Sequence, residues 1–131
     1  MPTLHLRIAP LHNPEHYAVL AHSLTALTAS VLRKRPEVTV VVMDDLPAAR
    51  WTIGGQPTGQ PTALLQIDIT TGTNTEAEKA AFVRQAFDVL TQYVGGGQGL
   101  APASYVIVRE LPATDWGYGG HTQAARRLMV V

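Results

Sequence analysis

The sequence predicts a two-layer α+β domain in which tandem β-α-β units form one four-stranded mixed sheet with two helices on one face. Three observations lead there. The segment Leu46-Pro47-Ala48-Ala49-Arg50-Trp51-Thr52-Ile53-Gly54-Gly55 returns as Leu111-Pro112-Ala113-Thr114-Asp115-Trp116-Gly117-Tyr118-Gly119-Gly120, 65 positions later in a chain of 131, with six of ten positions identical. A duplication at half length makes the chain two copies of one unit. Each copy reads strand, helix, strand before that segment, and 46% hydrophobic content suffices for one core if both halves share it, whereas half the chain alone is marginal.

The elements follow in order. Thr3 to Ile8 alternates, with Leu4, Leu6 and Ile8 on one face and Thr3, His5 and Arg7 on the other, as a strand covered on one side does. Asn13-Pro14-Glu15 reads as an N-cap, a first-turn proline and an acid at the positive helix end. Leu20, Leu24, Leu27 and Val31 give a four-three-four apolar stripe, and the helix stops before Pro36. The β-branched run Val38 to Met43 is the second strand, and the Trp51 segment ends as a short glycine hairpin.

Gln56 to Thr62, rich in Pro, Gly, Thr and Gln, is the joint between units. Leu64 to Ile69 alternates like the first strand, with Gln66 and Asp68 outward. Thr75-Glu76-Ala77-Glu78 is a capping box, Val83, Phe87, Leu90 and Val94 repeat the stripe, and Gly95-Gly96-Gly97 ends the helix. Tyr105 to Val108 is the last sheet strand. One domain, 1–131, is expected, with a first unit at 2–57, a second at 62–120 and a tail at 121–131. Each strand-helix-strand unit makes a right-handed parallel pair, and the sheet face without helices calls for an oligomeric partner.

Composition excludes several classes. Ten basic and ten acidic residues cancel, and the longest basic run, Arg33-Lys34-Arg35, reads as positive charge in the last turn of a helix; no nucleic-acid partner is expected. There is no cysteine, hence no disulfide or thiolate chemistry. No apolar run approaches a membrane span, and Met1 to Ile8 is unlike a signal peptide, so no membrane partner and a soluble, cytoplasmic protein are expected. His12, His16 and His22 lack a third ligand at matching spacing, with Pro14 between the first two, and no metal site is expected. Arg7 and Asp68 occupy equivalent places in the two first strands and are expected to pair across the sheet or an oligomer interface.

Pro2, taken with the complete units Asp45-Leu46-Pro47…Trp51…Gly54-Gly55 and Glu110-Leu111-Pro112…Trp116…Gly119-Gly120, resembles the tautomerase superfamily. More narrowly, the chain is similar to a fused, tandem member of the 4-oxalocrotonate tautomerase group, related to the cis-3-chloroacrylic acid dehalogenase-like branch. The resemblance runs from Pro2 to about Gly120 and leaves out the tail. It implies a fold like that of macrophage migration inhibitory factor, no cofactor, a homotrimer of tandem chains, and a small carboxylic or oxo acid as partner. It also implies that Pro2, once Met1 is removed, is a secondary amine acting as general base and acid in keto–enol tautomerisation. Desolvation lowers the pKa of such an amine from near 8 toward neutrality.

The family pattern is departed from in places. The arginine expected in the loop after the first strand is replaced by His12, and in the second unit by Thr73; the second-strand arginine is replaced by Val40 and Tyr105. The paired arginines of the dehalogenase-like branch fall at Thr70 and Thr73, and its water-activating glutamate falls at Tyr118. The second unit's proline position is Ala63, so only one of two equivalent sites can carry a terminal amine.

By the resemblance, His12, Trp116, Tyr118 and Tyr105 gather around Pro2, with Trp116 as a desolvating wall, Trp51 its counterpart in the other unit, and Arg50 and Arg109 as candidates for the missing positive charge. Isomerisation of a 2-oxo or enol acid is the leading expectation. Decarboxylation or hydration in the same scaffold, and a non-enzymatic scaffold with Met1 retained, stay open beside it.

Overall fold

The computed structural model describes residues 2–10 and 14–129. The first unit comprises β1 (Thr3–Ala9), α1 (Glu15–Leu32), β2 (Val40–Asp45) and a hairpin of β3 (Thr52–Ile53) and β4 (Gln56–Pro57). The second comprises β5 (Thr62–Thr70), α2 (Glu76–Leu90), β6 (Tyr105–Leu111) and a hairpin of β7 (Gly117–Tyr118) and β8 (His121–Thr122), followed by a short helix, α3 (Gln123–Met129). The second hairpin therefore closes inside the segment that the sequence pattern assigned to the tail.

The main sheet has the order β2-β1-β5-β6. Its outer pairs, β1 with β2 and β5 with β6, are parallel, as strand-helix-strand units require, and the central pair β1 with β5 is antiparallel. That seam relates the units by an approximate twofold rotation. The start of β1 lies beside the end of β5, and the start of β5 beside the end of β1.

Strand alternation decides what is buried. Leu4, Leu6 and Ile8 of β1 and Ala63, Leu65, Ile67 and Ile69 of β5 face the helices and are sealed from solvent. Burying such a Leu or Ile side chain stabilises by about 1.5–3 kcal/mol. The helices meet this layer through Leu20, Leu24, Thr28 and Leu32 of α1, and Phe82, Ala86 and Leu90 of α2 with Val94 beyond it. This corrects the expected stripes by one row: Leu27, Val31 and Phe87 flank the core, and Val83 is exposed.

Helix ends are set locally. Thr75 caps α2 with both bonds of a capping box, its hydroxyl accepting from Glu78 N–H and the Glu78 carboxylate accepting from Thr75 N–H. Pro14 occupies the N-cap position of α1, while Asn13, the expected cap, lies outside the described residues. α2 runs on through a wider π turn, Thr91–Gly95, before the glycines break it.

Among the described residues, the opposite face of the sheet carries no helix. Val40, Val42 and Tyr105 stand exposed on it. Asp68 on this face is held by Arg109 in two bonds, 2.7 and 3.2 Å, and by the Thr3 hydroxyl at 3.1 Å. Within the sheet, the expected pairing of Asp68 with Arg7 is corrected: the antiparallel register sets Asp68 opposite Thr3 and Arg7 opposite Leu64. Among the described residues, no helix is long and apolar enough to cross a membrane.

Candidate functional site

Pro2 is buried at the start of β1, and its carbonyl accepts a hydrogen bond from Val40 N–H at 3.2 Å. Because Thr3 stands opposite Asp68, this is also the end of the sheet where β5 finishes at Thr70. A cavity of about 430 Å³ opens at that end, lined by Lys34 and Arg35 after α1, Thr70 and Thr73 after β5, Tyr118 of the second hairpin, and Gln123, Arg126 and Arg127 of α3. Four cations and no carboxylate face it, among the described residues.

Each lining group has a local cause. α1 ends at Leu32, and Arg33 takes a left-handed conformation (φ 59°) as its C-cap, which turns the chain sharply. The Arg33 side chain leaves the cavity and pairs with Glu78 at 2.8 and 3.2 Å. Lys34 is directed inward, its ammonium donating to the Thr73 hydroxyl at 2.9 Å, and that hydroxyl in turn donates to the Thr70 carbonyl at 2.7 Å. Burial pushes the Lys34 ammonium below the usual lysine range, and the charges of Arg33 and Arg127 add to this while Glu78 and Glu110 oppose it.

Arg126 packs its guanidinium over the Tyr118 ring, 3.6 Å from the centroid, and donates from Nε and Nη2 to the Tyr118 carbonyl at 3.0 and 2.8 Å. α3 is anchored at its first residue, where Gln123 N–H donates to the Trp116 carbonyl at 2.9 Å. Gln123 is only 7% exposed, and its side-chain Nε2 has no hydrogen-bond partner among the described residues.

The other end of the sheet differs in chemistry. There Trp51, Thr52, Ile53 and Gly54 of the first hairpin, Ala63 and Leu64 of β5, and Ala103 and Tyr105 line a cavity of about 350 Å³ with no cation and no carboxylate among the described residues. Ala63 N–H donates to the Ser104 hydroxyl at 3.0 Å, so the position corresponding to Pro2 is an amide committed to the interior.

No protein-family model matches the sequence, and no curated protein does. Solved structures do match. A fused 4-OT wild-type asymmetric trimer designated R7 superposes with a TM-score of 0.82 at 25% identity, covering 95% of this chain and 98% of that one. The chain has the tautomerase/MIF-like fold of these proteins. Pt0534, in a structure inactivated by 2-oxo-3-pentynoate, matches with a TM-score of 0.79 at 20% identity over 95% of this chain and 98% of its own. A macrophage migration inhibitory factor-like protein from Entamoeba histolytica matches with a TM-score of 0.69 at 17% identity over 92% and 97%.

Within this tautomerase fold the residues singled out in the sequence separate. Pro2 and Tyr118 lie at the same end of the sheet. Trp116, in the turn leading to β7, borders a smaller hollow with Thr114, Asp115 and His121, and its buried indole N–H has no partner among the described residues. Tyr105 and Arg50 do not join them: Tyr105 is at the Ala63 end, and Arg50 is exposed in the turn before the first hairpin. Arg109 is on the outer face and bound to Asp68. His12 lies outside the described residues.

The cavity's charge comes from elsewhere. Lys34 and Arg35 are not last-turn compensation of a helix dipole, because α1 has already ended. Arg126 and Arg127 belong to the segment outside the repeated pattern, and Thr70 and Thr73 stand where the dehalogenase-like resemblance placed arginines.

Proposed function

We propose that the protein catalyses proton transfer on a small 2-oxo or enol acid, an isomerisation of tautomerase type, with Pro2 as general base and acid once Met1 is removed. The observation that carries this reading is the buried Pro2 at the sheet end where the cationic cavity opens. Burial disfavours the ammonium form of a terminal proline, leaving an amine able to take a proton from carbon and return it elsewhere. The cations stabilise the negative charge that develops on an enolate oxygen. Tyr118, at the cavity wall, is a candidate substrate contact. Pt0534, of the same fold, is inactivated by a 2-oxo acid, which supports that ligand class here.

Isomerisation is favoured over hydration because no carboxylate lines the cavity to activate water, among the described residues. The test is ketonisation of an enol 2-oxo acid followed by ultraviolet absorbance, on protein whose intact mass shows Met1 removed. Pro2→Ala should lower kcat/KM by about 100-fold or more. Equal rates in the two proteins, or no acceleration of any enol acid, overturn the reading.

A homotrimer is part of the same proposal. The helix-free sheet face exposes Val40, Val42 and Tyr105, and the fused 4-OT protein of this fold is a trimer. Light scattering should give three times the chain mass; a monomer at micromolar concentration contradicts it.

A further inference from the structure

The chain beyond the repeated units bears directly on the cavity. Of its four cations, two are already engaged. Arg35 donates to Glu37 at 2.8 Å, and Arg126 is held by the carbonyl and ring of Tyr118. Lys34 donates only to a neutral hydroxyl, and neither Lys34 nor Arg127 is hydrogen-bonded to a carboxylate, among the described residues. Gln123 adds a donor, Nε2, that is buried without a partner at the wall of the same cavity. A buried donor left unpaired is destabilising, and like charges facing one cavity repel. One bound oxyanion relieves all three at once: it accepts from Gln123, and it lies between two positive charges.

We propose that Lys34, Gln123 and Arg127 form the subsite for the substrate's carboxylate, so that α3, outside the tandem pattern, completes the site. This rests on the proton-transfer reading above for the identity of the acid, and on the cavity alone for the anion. The cavity's positive charge is supplied by α3 and the turn after α1. The arrangement makes α3 a specificity element. Arg126, clamped on Tyr118, fixes the helix against the hairpin, while Arg127 and Gln123 meet the ligand.

The experiment is a titration of the intact protein, followed by nuclear magnetic resonance, with propionate and with propionamide, which share a shape and differ in charge. Propionate should shift the side-chain amide signals of Gln123, and propionamide should not. Arg127→Ala and Lys34→Ala should each weaken propionate binding by about tenfold, the loss expected for a charged hydrogen bond. Arg127→Lys, which keeps the charge, should recover most of it. Arg127 is exposed, so an unchanged melting temperature accompanies its two variants.

Pro2→Ala should bind propionate as the parent does while losing turnover. Loss of turnover with binding intact therefore separates the proline from the subsite. Equal affinity for propionate and propionamide, undiminished binding in Arg127→Ala, or tighter binding of inorganic phosphate than of propionate overturns the carboxylate subsite, whatever becomes of the proline.

Discussion

The two ends of the sheet are built by the same topology and braced by opposite chemistry. At the Pro2 end, the acid closing the last strand, Glu110, takes an ion pair from Lys79 in the first turn of α2 and a bond from Gly72 N–H at 3.1 Å. At the Ala63 end the corresponding acid, Asp45, accepts from the neutral hydroxyl of Tyr17 in α1. The Pro2 end is further tied by Glu78, which accepts from Arg33, Thr75 N–H and Asn74 and so joins the end of α1 to the start of α2. A shared fold thus fixes where the two hollows lie, and side chains alone make one cationic and the other neutral.

The largest test of this contrast concerns the hairpins. Gly117 occupies the place that Thr52 holds in the first hairpin, and a Cβ at Gly117 would overlap the His121 carbonyl group across the β7–β8 pair. The obstacle is backbone, which cannot rotate aside. Gly117→Thr, which copies the first hairpin into the second, should destabilise by about 1–3 kcal/mol in urea unfolding and lower ketonisation by displacing Tyr118. The reverse change, Thr52→Gly, should cost no more than about 1 kcal/mol and leave ketonisation unaltered. Equal effects of the two would mean that the hairpins are interchangeable.

The smallest effect appears only at extremes of pH. Arg33, the Thr75 amide and Asn74 hold the Glu78 carboxyl down from 4.5 to about 2, and Lys79 and Gly72 hold Glu110 below the usual carboxylate range. A depressed carboxylate contributes stability above its unfolded pKa and loses it as pH falls through its folded one. The Pro2 end should therefore loosen between about pH 4.5 and 2. Asp45 raises the Tyr17 hydroxyl above 10.0, so the Ala63 end holds its contribution below that pH and loses it in stronger alkali. Melting temperature against pH should flatten on the acid side in Glu78→Gln and on the alkaline side in Tyr17→Phe. A Glu78→Gln profile that falls as steeply as the parent's in acid contradicts this division.

The repeated segment, the strand alternation and the Thr75 capping box made the architecture legible because each is written in neighbouring residues. The helix faces were less so. Thr28 is as buried as any leucine of α1, its hydroxyl satisfied by the Leu24 carbonyl at 2.7 Å, and a count of apolar letters passes over it in favour of Leu27 and Val31. The cavity was harder still. Lys34 and Arg35 read as part of a helix until Arg33 turns the chain left-handed, and nothing in the order Gln123-Ala124-Ala125-Arg126-Arg127 announces a return onto Tyr118 eight residues back. Burial of Pro2 and the placing of Tyr118 depend on which strand end meets which hairpin, a relation that exists only once the seam has formed.

That seam also governs how the protein comes into being. Each strand-helix-strand unit can close on itself, whereas Thr3 meets Asp68 across 65 residues, so the central pairing waits for most of the chain. Long-range pairing of this kind is slow, because the entropy of closing the loop is lost before the contacts are gained. Until it happens, β1 and β5 each present a bare row of backbone donors and acceptors, the surface most prone to wrong partners. During synthesis the first unit therefore emerges with its future centre exposed as an edge, and the second unit is the partner that covers it.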